Sequence, residues 1–244
     1  MKTHKFSLVI LFNLAFGGCA HYQPAGSDAE PPVSRFEQNR QATVLIINKF
    51  ENGAALGTGV VVDKRGLILT NHHVIESQFD DQTRQAIPGK PMVCEVKGIA
   101  LACVPAVVVA STEKQDAALL RVERSYPYEV EIIDDRGVTE AENIYMRGSV
   151  GPLLPPALMV GNFIGRADPR YEFAPFKVPI LVLDLAIQSG CSGGPVFDSD
   201  GRMIGLVKAI IHFSGRPLGL AVPGSVIKSF VETYDPFSDG TKKK

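Results

Sequence analysis

"SGCSGGPVF", residues 189–197, sets two side chains able to attack a carbonyl, Cys191 and Ser192, next to each other among small residues. Glycines at 190, 193 and 194 permit positive φ and close approach by another group, so the stretch taken alone is a tight turn. Whether it is more depends on a base and an acid elsewhere in the chain. A hydroxyl is a weak nucleophile at neutral pH. An imidazole within hydrogen-bond reach activates it, and a carboxylate on the far ring nitrogen holds the tautomer and stabilises the imidazolium. Two earlier stretches supply those groups. "ILTNHHVIE", residues 68–76, puts His73 just past an apolar strand, and "KQDAALLRV", residues 114–122, puts Asp116 just ahead of another. Each alone is an ordinary strand-end or turn residue; the combination His, Asp, Ser is what carries weight.

The chain around these segments is 244 residues long with 45% hydrophobic content, enough for one large domain or two small ones with an ample core. Its net charge of −1, with acids and bases interspersed, marks no nucleic-acid surface. The one charge run, Lys242-Lys243-Lys244, falls short of the clusters that hold proteins to anionic surfaces and is read as a solvated end. The start is different. "MKTHKFSLVILFNLAFGGCAHY" has a basic beginning, an apolar stretch from Phe6 to Phe16 and then small residues, the layout of an export signal. That stretch is shorter than the ~20 residues of a membrane-spanning helix. Its end, "FGGC", resembles a bacterial lipoprotein box, which implies a diacylated Cys19 and attachment to a membrane surface through buried acyl chains. Phe16 departs from the aliphatic residue usual there, and ordinary cleavage after Ala20 is the alternative. The expected division is a signal peptide at 1–18, a Pro- and Gly-rich tether at 19–34, a folded domain at 35–237 and a basic tail at 238–244.

From Gln41 onward, short runs rich in Val, Ile and Leu alternate with turn residues, which indicates strands. A stretch poorer in such runs, 123–142, separates two β-rich halves, about 35–122 and about 143–225. Helical pattern is confined to "VIESQF", residues 74–79, and "PGSVIKSFVETY", residues 223–234, where Ser225 is the expected N-cap and Val226, Phe230 and Val231 share a face. An all-β pair of barrels and a sandwich both fit this pattern. Cys94 and Cys103 flank "EVKGIALA"; with Gly98-Ile99 as a two-residue turn they lie opposite each other, either as a disulfide or as two buried thiols. Cys191 is then without a partner.

"TNHHV", "DAALL" and "GCSGGPVF" are similar to the three signature segments of trypsin-like serine proteases, in particular the bacterial HtrA (Deg) branch. "GTGVVVD" resembles that branch's glycine-led second strand, "DLAIQSGCSGGPVFDSDGRMIGL" its active-site stretch and "LGLAVP" its penultimate strand, so the resemblance covers about residues 35–235. It implies two perpendicular six-stranded β-barrels with a cleft between them and a closing helix at about 225–234. It also implies an exported serine endopeptidase of the bacterial envelope that cleaves envelope or unfolded polypeptides through an acyl-enzyme, with no cofactor. The catalytic residues would be His73, which unlike His72 is followed by Val, with Asp116 and Ser192, the residue directly before the double glycine. The amides of Gly190 and Ser192, with that of Cys191 as a third candidate, would form the oxyanion hole. The specificity pocket would have an apolar base at Leu185, Ala186 and Ile187 and an opposite wall from Ala209, Ile210 and Leu220, suited to small or medium aliphatic side chains.

Several features depart from that pattern or leave a choice. Lys208 stands where a small polar residue usually supports the catalytic Asp. No peptide-binding PDZ domain is expected after the final helix. The segment "GSVGPLLPPALM", residues 148–159, stiffened by three prolines, either shapes substrate access or is a surface loop without a role. Adjacent histidines do not converge on one ion, so no metal is expected. Two other functions compete: a silent peptide-binding protein of the same fold, and a cysteine enzyme using Cys191.

Overall fold

Ser34, with Glu37 three residues on, starts the fold with a capped helix. In the computed structural model, which describes residues 33–80, 85–97, 100–151, 154–170 and 176–237, the Ser34 hydroxyl accepts from the Glu37 amide at 3.3 Å. This opens helix α1 (Arg35–Gln41). The export signal, Cys19, most of the tether, the Gly98-Ile99 turn and the basic tail lie outside the described residues. Buried Asn39 of α1 donates to the Tyr145 hydroxyl at 2.9 Å and the Gly201 carbonyl at 2.8 Å, fastening the helix to the second half of the chain.

The first half contains β1 (Thr43–Phe50), β2 (Gly53–Asp63), β3 (Leu67–Thr70), the short helix α2 (His72–Ile75), a ribbon of β4 (Gln78–Asp80) with β5 (Gln85–Ile87), then β6 (Lys90–Lys97), β7 (Ala100–Pro105), β8 (Val107–Thr112) and β9 (Ala117–Arg121). The residues after Ile75, expected to be helical, leave the helix, and Gln78 begins the ribbon. Seven strands pair in the order β7-β6-β1-β2-β3-β9-β8. The expected six-stranded barrel is thus an open ladder whose two edges are successive pieces of chain joined through Ala106. Pro105 lacks the N–H to carry one ladder through the corner, and the Ala106 amide donates to the Pro91 carbonyl instead, at 2.9 Å. Taken as one bent strand, β7 and β8 bring the sheet back on itself around Val44, Ile46, Val60, Leu69 and Leu119, all at most 1% exposed. Cys94 and Cys103 are cross-strand partners and are joined by a disulfide.

The second half is a closed barrel of β10 (Asn143–Gly148), β11 (Ala157–Ala167), β12 (Ile180–Asp184), β13 (Pro195–Phe197), β14 (Met203–Phe213) and β15 (Arg216–Pro223), ordered β10-β11-β12-β15-β14-β13. Met146, Phe163, Leu183, Val196 and Ile204 fill it. The 123–142 connection holds no strand and one 3-10 turn, Asp135–Gly137. Helix α3 (Gly224–Tyr234) is capped by Pro223 rather than Ser225. Ser225 lies inside the first turn, where its amide and hydroxyl both donate to the Asp135 carboxylate, at 3.0 and 2.7 Å, so its side chain holds the connection. Ile227 and Phe230 of α3 are buried.

Candidate active site

The ladder pairs Thr70 at the end of β3 with Ala118 near the start of β9, so the residues just past Thr70 and just before Ala117 meet at one end of these two neighbouring strands. His73 and Asp116 are those residues. His73 Nδ1 lies 2.9 Å from Asp116 Oδ2 and 3.0 Å from Oδ1, and the His73 amide donates to Oδ1 at 3.1 Å. Asp116 sits at φ +50, a left-handed conformation that Asp tolerates better than most residues. The Asn71 side-chain amide donates to its carbonyl at 2.8 Å and helps hold that backbone in place. The carboxylate is 6% exposed and takes one further hydrogen bond, from Lys208 Nζ at 2.8 Å. Burial pushes the Asp116 carboxyl up, but the hydrogen bonds from His73 and Lys208 outweigh it and hold the group at about 2.

Ser192 comes from the other half, on a turn wedged against the first. The Thr58 amide donates to the Ser192 carbonyl at 2.7 Å, and the Thr58 hydroxyl donates to the Gly190 carbonyl at 2.7 Å while accepting from the Ser149 amide at 2.8 Å. Gly193, at φ +82, has no room for a side chain: a Cβ there would stand 2.1 Å from the Thr58 carbonyl oxygen. Its amide donates to Val207 at 2.9 Å, which fixes the turn to β14. The Ser192 hydroxyl donates to the Lys208 carbonyl at 3.5 Å, and among the described residues no hydrogen bond joins it to His73. The N–H groups of Gly190 and Ser192 have no acceptor among the described residues. That of Cys191 is committed to the Gln188 carbonyl at 3.1 Å, which removes it as a third oxyanion donor.

An acid–imidazole pair thus lies beside a glycine-locked turn carrying a hydroxyl and two open amides. The profile of the trypsin-like peptidase domain matches residues 57–206, more than half of the chain and all of these elements. The chain belongs to this family. Relatives include proteins described as probable periplasmic serine endoproteases, DegP-like. One from Pseudomonas fulva is 28% identical over 177 residues, covering 70% of this chain and 33% of the relative. Another from Halomonas elongata is 29% identical over 174 residues, covering 70% and 33%. The chain therefore spans about one third of the length of these relatives. Among solved structures, Deg5 aligns with TM-score 0.63 at 23% identity, covering 80% of this chain and 89% of that one. The HtrA-type protease AlgW with tripeptide aligns with TM-score 0.65 at 20% identity, covering 82% and 62%. At those identities the likeness speaks to the fold.

In this trypsin-like domain the two candidate nucleophiles part company. Cys191 is fully buried, its Sγ 4.0 Å from Met159 Sδ and packed where Gly148 leaves space. Burial pushes its thiol up, so it is less ionised than a free cysteine. Ser192 is half-buried at the cleft. His72 points its Nδ1 at the Ser111 hydroxyl, 2.7 Å away, and takes no part in the pair. The expected pocket residues form an apolar wall: Ala209 pairs with Leu220 and Ile210 with Gly219 across β14 and β15. Ile187 packs directly over Gly219, where a Cβ would stand 2.2 Å from Ile187 Cδ1. Leu185 and Ile187 are buried, whereas Ala186 faces solvent. Among the described residues no cluster of three His, Cys, Asp or Glu side chains is placed to hold a metal. The contacts of Thr58, Ser149 and Asn71 were not anticipated; the hydroxyl of Thr58 between two glycines in "GTGV" was the available signal.

Proposed function

We propose that this protein is an exported serine endopeptidase in which His73, Asp116 and Ser192 cleave polypeptides through an acyl-enzyme. The observation that carries this reading is the buried Asp116 carboxylate bonded to His73 beside the Ser192 turn, whose two amides stand open. The Ser192 hydroxyl turns from the Lys208 carbonyl to His73 Nε2, gives up its proton there and attacks the substrate carbonyl carbon. The oxyanion that forms accepts from the Gly190 and Ser192 amides. His73 then protonates the leaving amine. In the second half it takes a proton from water, whose oxygen attacks the acyl carbon, and then gives that proton to the Ser192 oxygen as it leaves. Asp116 stays ionised throughout, holding the tautomer and the imidazolium. Ile187 over Gly219 shortens the pocket, which favours small or medium aliphatic side chains before the scissile bond. The export signal, the lipoprotein-type Cys19 and the periplasmic description of the relatives support an envelope location with a membrane anchor, and unfolded or envelope proteins as substrates. In this reading residues 1–18 are the signal, 19–34 the tether and 35–237 the protease domain.

The Ser192 bond to the Lys208 carbonyl is the one observation favouring a second reading, a silent peptide-binding protein of this fold. Intact-mass analysis after a fluorophosphonate probe separates them. One adduct on wild type and on Cys191→Ala, with none on Ser192→Ala, is expected. No adduct on any of the three would favour the silent reading, and an adduct lost only in Cys191→Ala would move the chemistry to the thiol.

A further inference from the structure

The resemblance to trypsin-like proteases puts Lys208 where a small polar residue is usual, and its ammonium reaches Asp116 at 2.8 Å. The β14–β15 register shifts between Val207 and Ala209, making Lys208 the bulged residue. Leu206 packs outside the second barrel and Val207 inside it, so Lys208, two residues after Leu206, leaves the barrel on the outer side, toward the other half of the domain, and reaches a carboxylate 92 positions earlier in the chain. The bulge then puts Ala209 on that same outer side and returns Ile210 to the interior.

We propose that Lys208 is a positioning residue that extends the His73–Asp116 pair into a three-membered chain and sets how far into acid the site stays active. The proposal rests on the protease reading of this site. Among the described residues, the Asp116 carboxylate accepts hydrogen bonds from His73 and Lys208 alone, and the Lys208 side chain is 29% exposed against 6% for Asp116. Exposed ion pairs contribute little, but one end of this pair is out of water, where the field of a cation is less screened. The other titratable groups around the 220 Å³ cavity over the pair are His72, Glu76, Glu113, Lys114 and Lys177. Glu113 is held by Lys177 at 2.7 Å and His72 by Ser111, and none of the five hydrogen-bonds to Asp116. A neutral hydroxyl at position 208 would leave the whole carboxylate charge to favour the imidazolium. The ammonium takes part of that charge, so less of it is left to hold a proton on the imidazole. The same residue meets Ser192 through its carbonyl, so it touches both ends of the site.

The test is the second-order rate of fluorophosphonate labelling of the whole protein, followed from pH 5 to 9, for wild type, Lys208→Ser and Lys208→Arg. Loss of the cation should move the acid limb up by about one pH unit, making labelling about tenfold slower on that limb. Lys208→Arg should follow wild type. A merely structural role would lower the rate at every pH and leave the limb in place. Coincident limbs for wild type and Lys208→Ser, or a limb for Lys208→Arg displaced like that of Lys208→Ser, would overturn the proposal. Lys208→Gln, neutral and of similar reach, replaces Lys208→Ser if thermal melts show that variant unfolded. A second readout does not need catalysis. In a Ser192→Ala background the Asp116 carboxyl carbon, followed by NMR, should titrate at about 2 with Lys208 present, and higher once it is neutralised. An unchanged midpoint would also overturn the proposal. If wild type fails to label at any pH, the protease reading falls and this titration alone decides whether Lys208 acts on Asp116.

Discussion

The two sides of the cleft are built on opposite plans. On the His73 side both oxygens of a buried carboxylate are engaged: the imidazole, the His73 amide and the Lys208 ammonium all converge on Asp116. On the Ser192 side the hydroxyl makes one long bond, and two backbone amides make none among the described residues. The difference follows from when each charge exists. Asp116 is ionised before substrate arrives, and a buried charge without partners is costly, so its partners must be in place in the resting protein. An oxyanion exists only during reaction, and donors aimed at its position help most if they are rigid and unoccupied beforehand. The rigidity comes from backbone. Gly190 at φ +94 and Gly193 at φ +82 hold the turn, and Thr58 clamps it from the other half.

That contrast can be broken from either side. The largest effect is expected from Asp116→Asn, which keeps a residue tolerant of positive φ but removes the charge; kcat should fall by about 10⁴, with folding retained by circular dichroism. Gly193→Ala attacks the other side. It places a Cβ against the Thr58 carbonyl at a positive φ, and should cost about 3 kcal/mol in urea unfolding together with most of the labelling activity. Replacing both Cys94 and Cys103 by Ser removes a short cross-link of sequence separation 9. A stability loss of about 2–3 kcal/mol is expected, with the labelling rate unchanged, since the bridge touches neither side of the cleft. The smallest effect is a pH dependence. Asp116 is lowered from 3.8 to about 2 in the folded protein, so its contribution to stability is complete above its unfolded value and is lost as pH falls toward the folded one. That amounts to about 2 kcal/mol. The stability difference between wild type and Asp116→Asn should therefore shrink between pH 5 and 2, measured by denaturant unfolding at each pH.

The strands and the identity of the cleft residues were legible because apolar alternation, glycine runs and an ordered His, Asp and Ser are local signals. Helix α1 is not legible from periodicity because "RFEQNRQ" has no apolar stripe; its signal is the Ser34-x-x-Glu37 sequence of a capping box, of which the Ser34 hydroxyl bond to the Glu37 amide is formed. Ser225 was misjudged as a cap for the opposite reason: a favoured residue type was present, but the Asp135 carboxylate from the connection captured it. The open seam at Pro105-Ala106 and the bulge at Lys208 depend on pairings between distant strands, which no local pattern encodes. Lys208 is unusual from its position in the resemblance; its bond to Asp116, 92 positions away, depends on how the two halves pack.

The measurement that bears most directly on this account is the structure of the fluorophosphonate adduct. Phosphorus should be bonded to Ser192 Oγ, the hydroxyl having left the Lys208 carbonyl. A phosphonyl oxygen should lie about 2.7–3.1 Å from the Gly190 and Ser192 amides, and the contacts of Asp116 with His73 and Lys208 should be unmoved. An adduct whose oxygen points away from those amides, or whose formation separates Lys208 from Asp116, would contradict it.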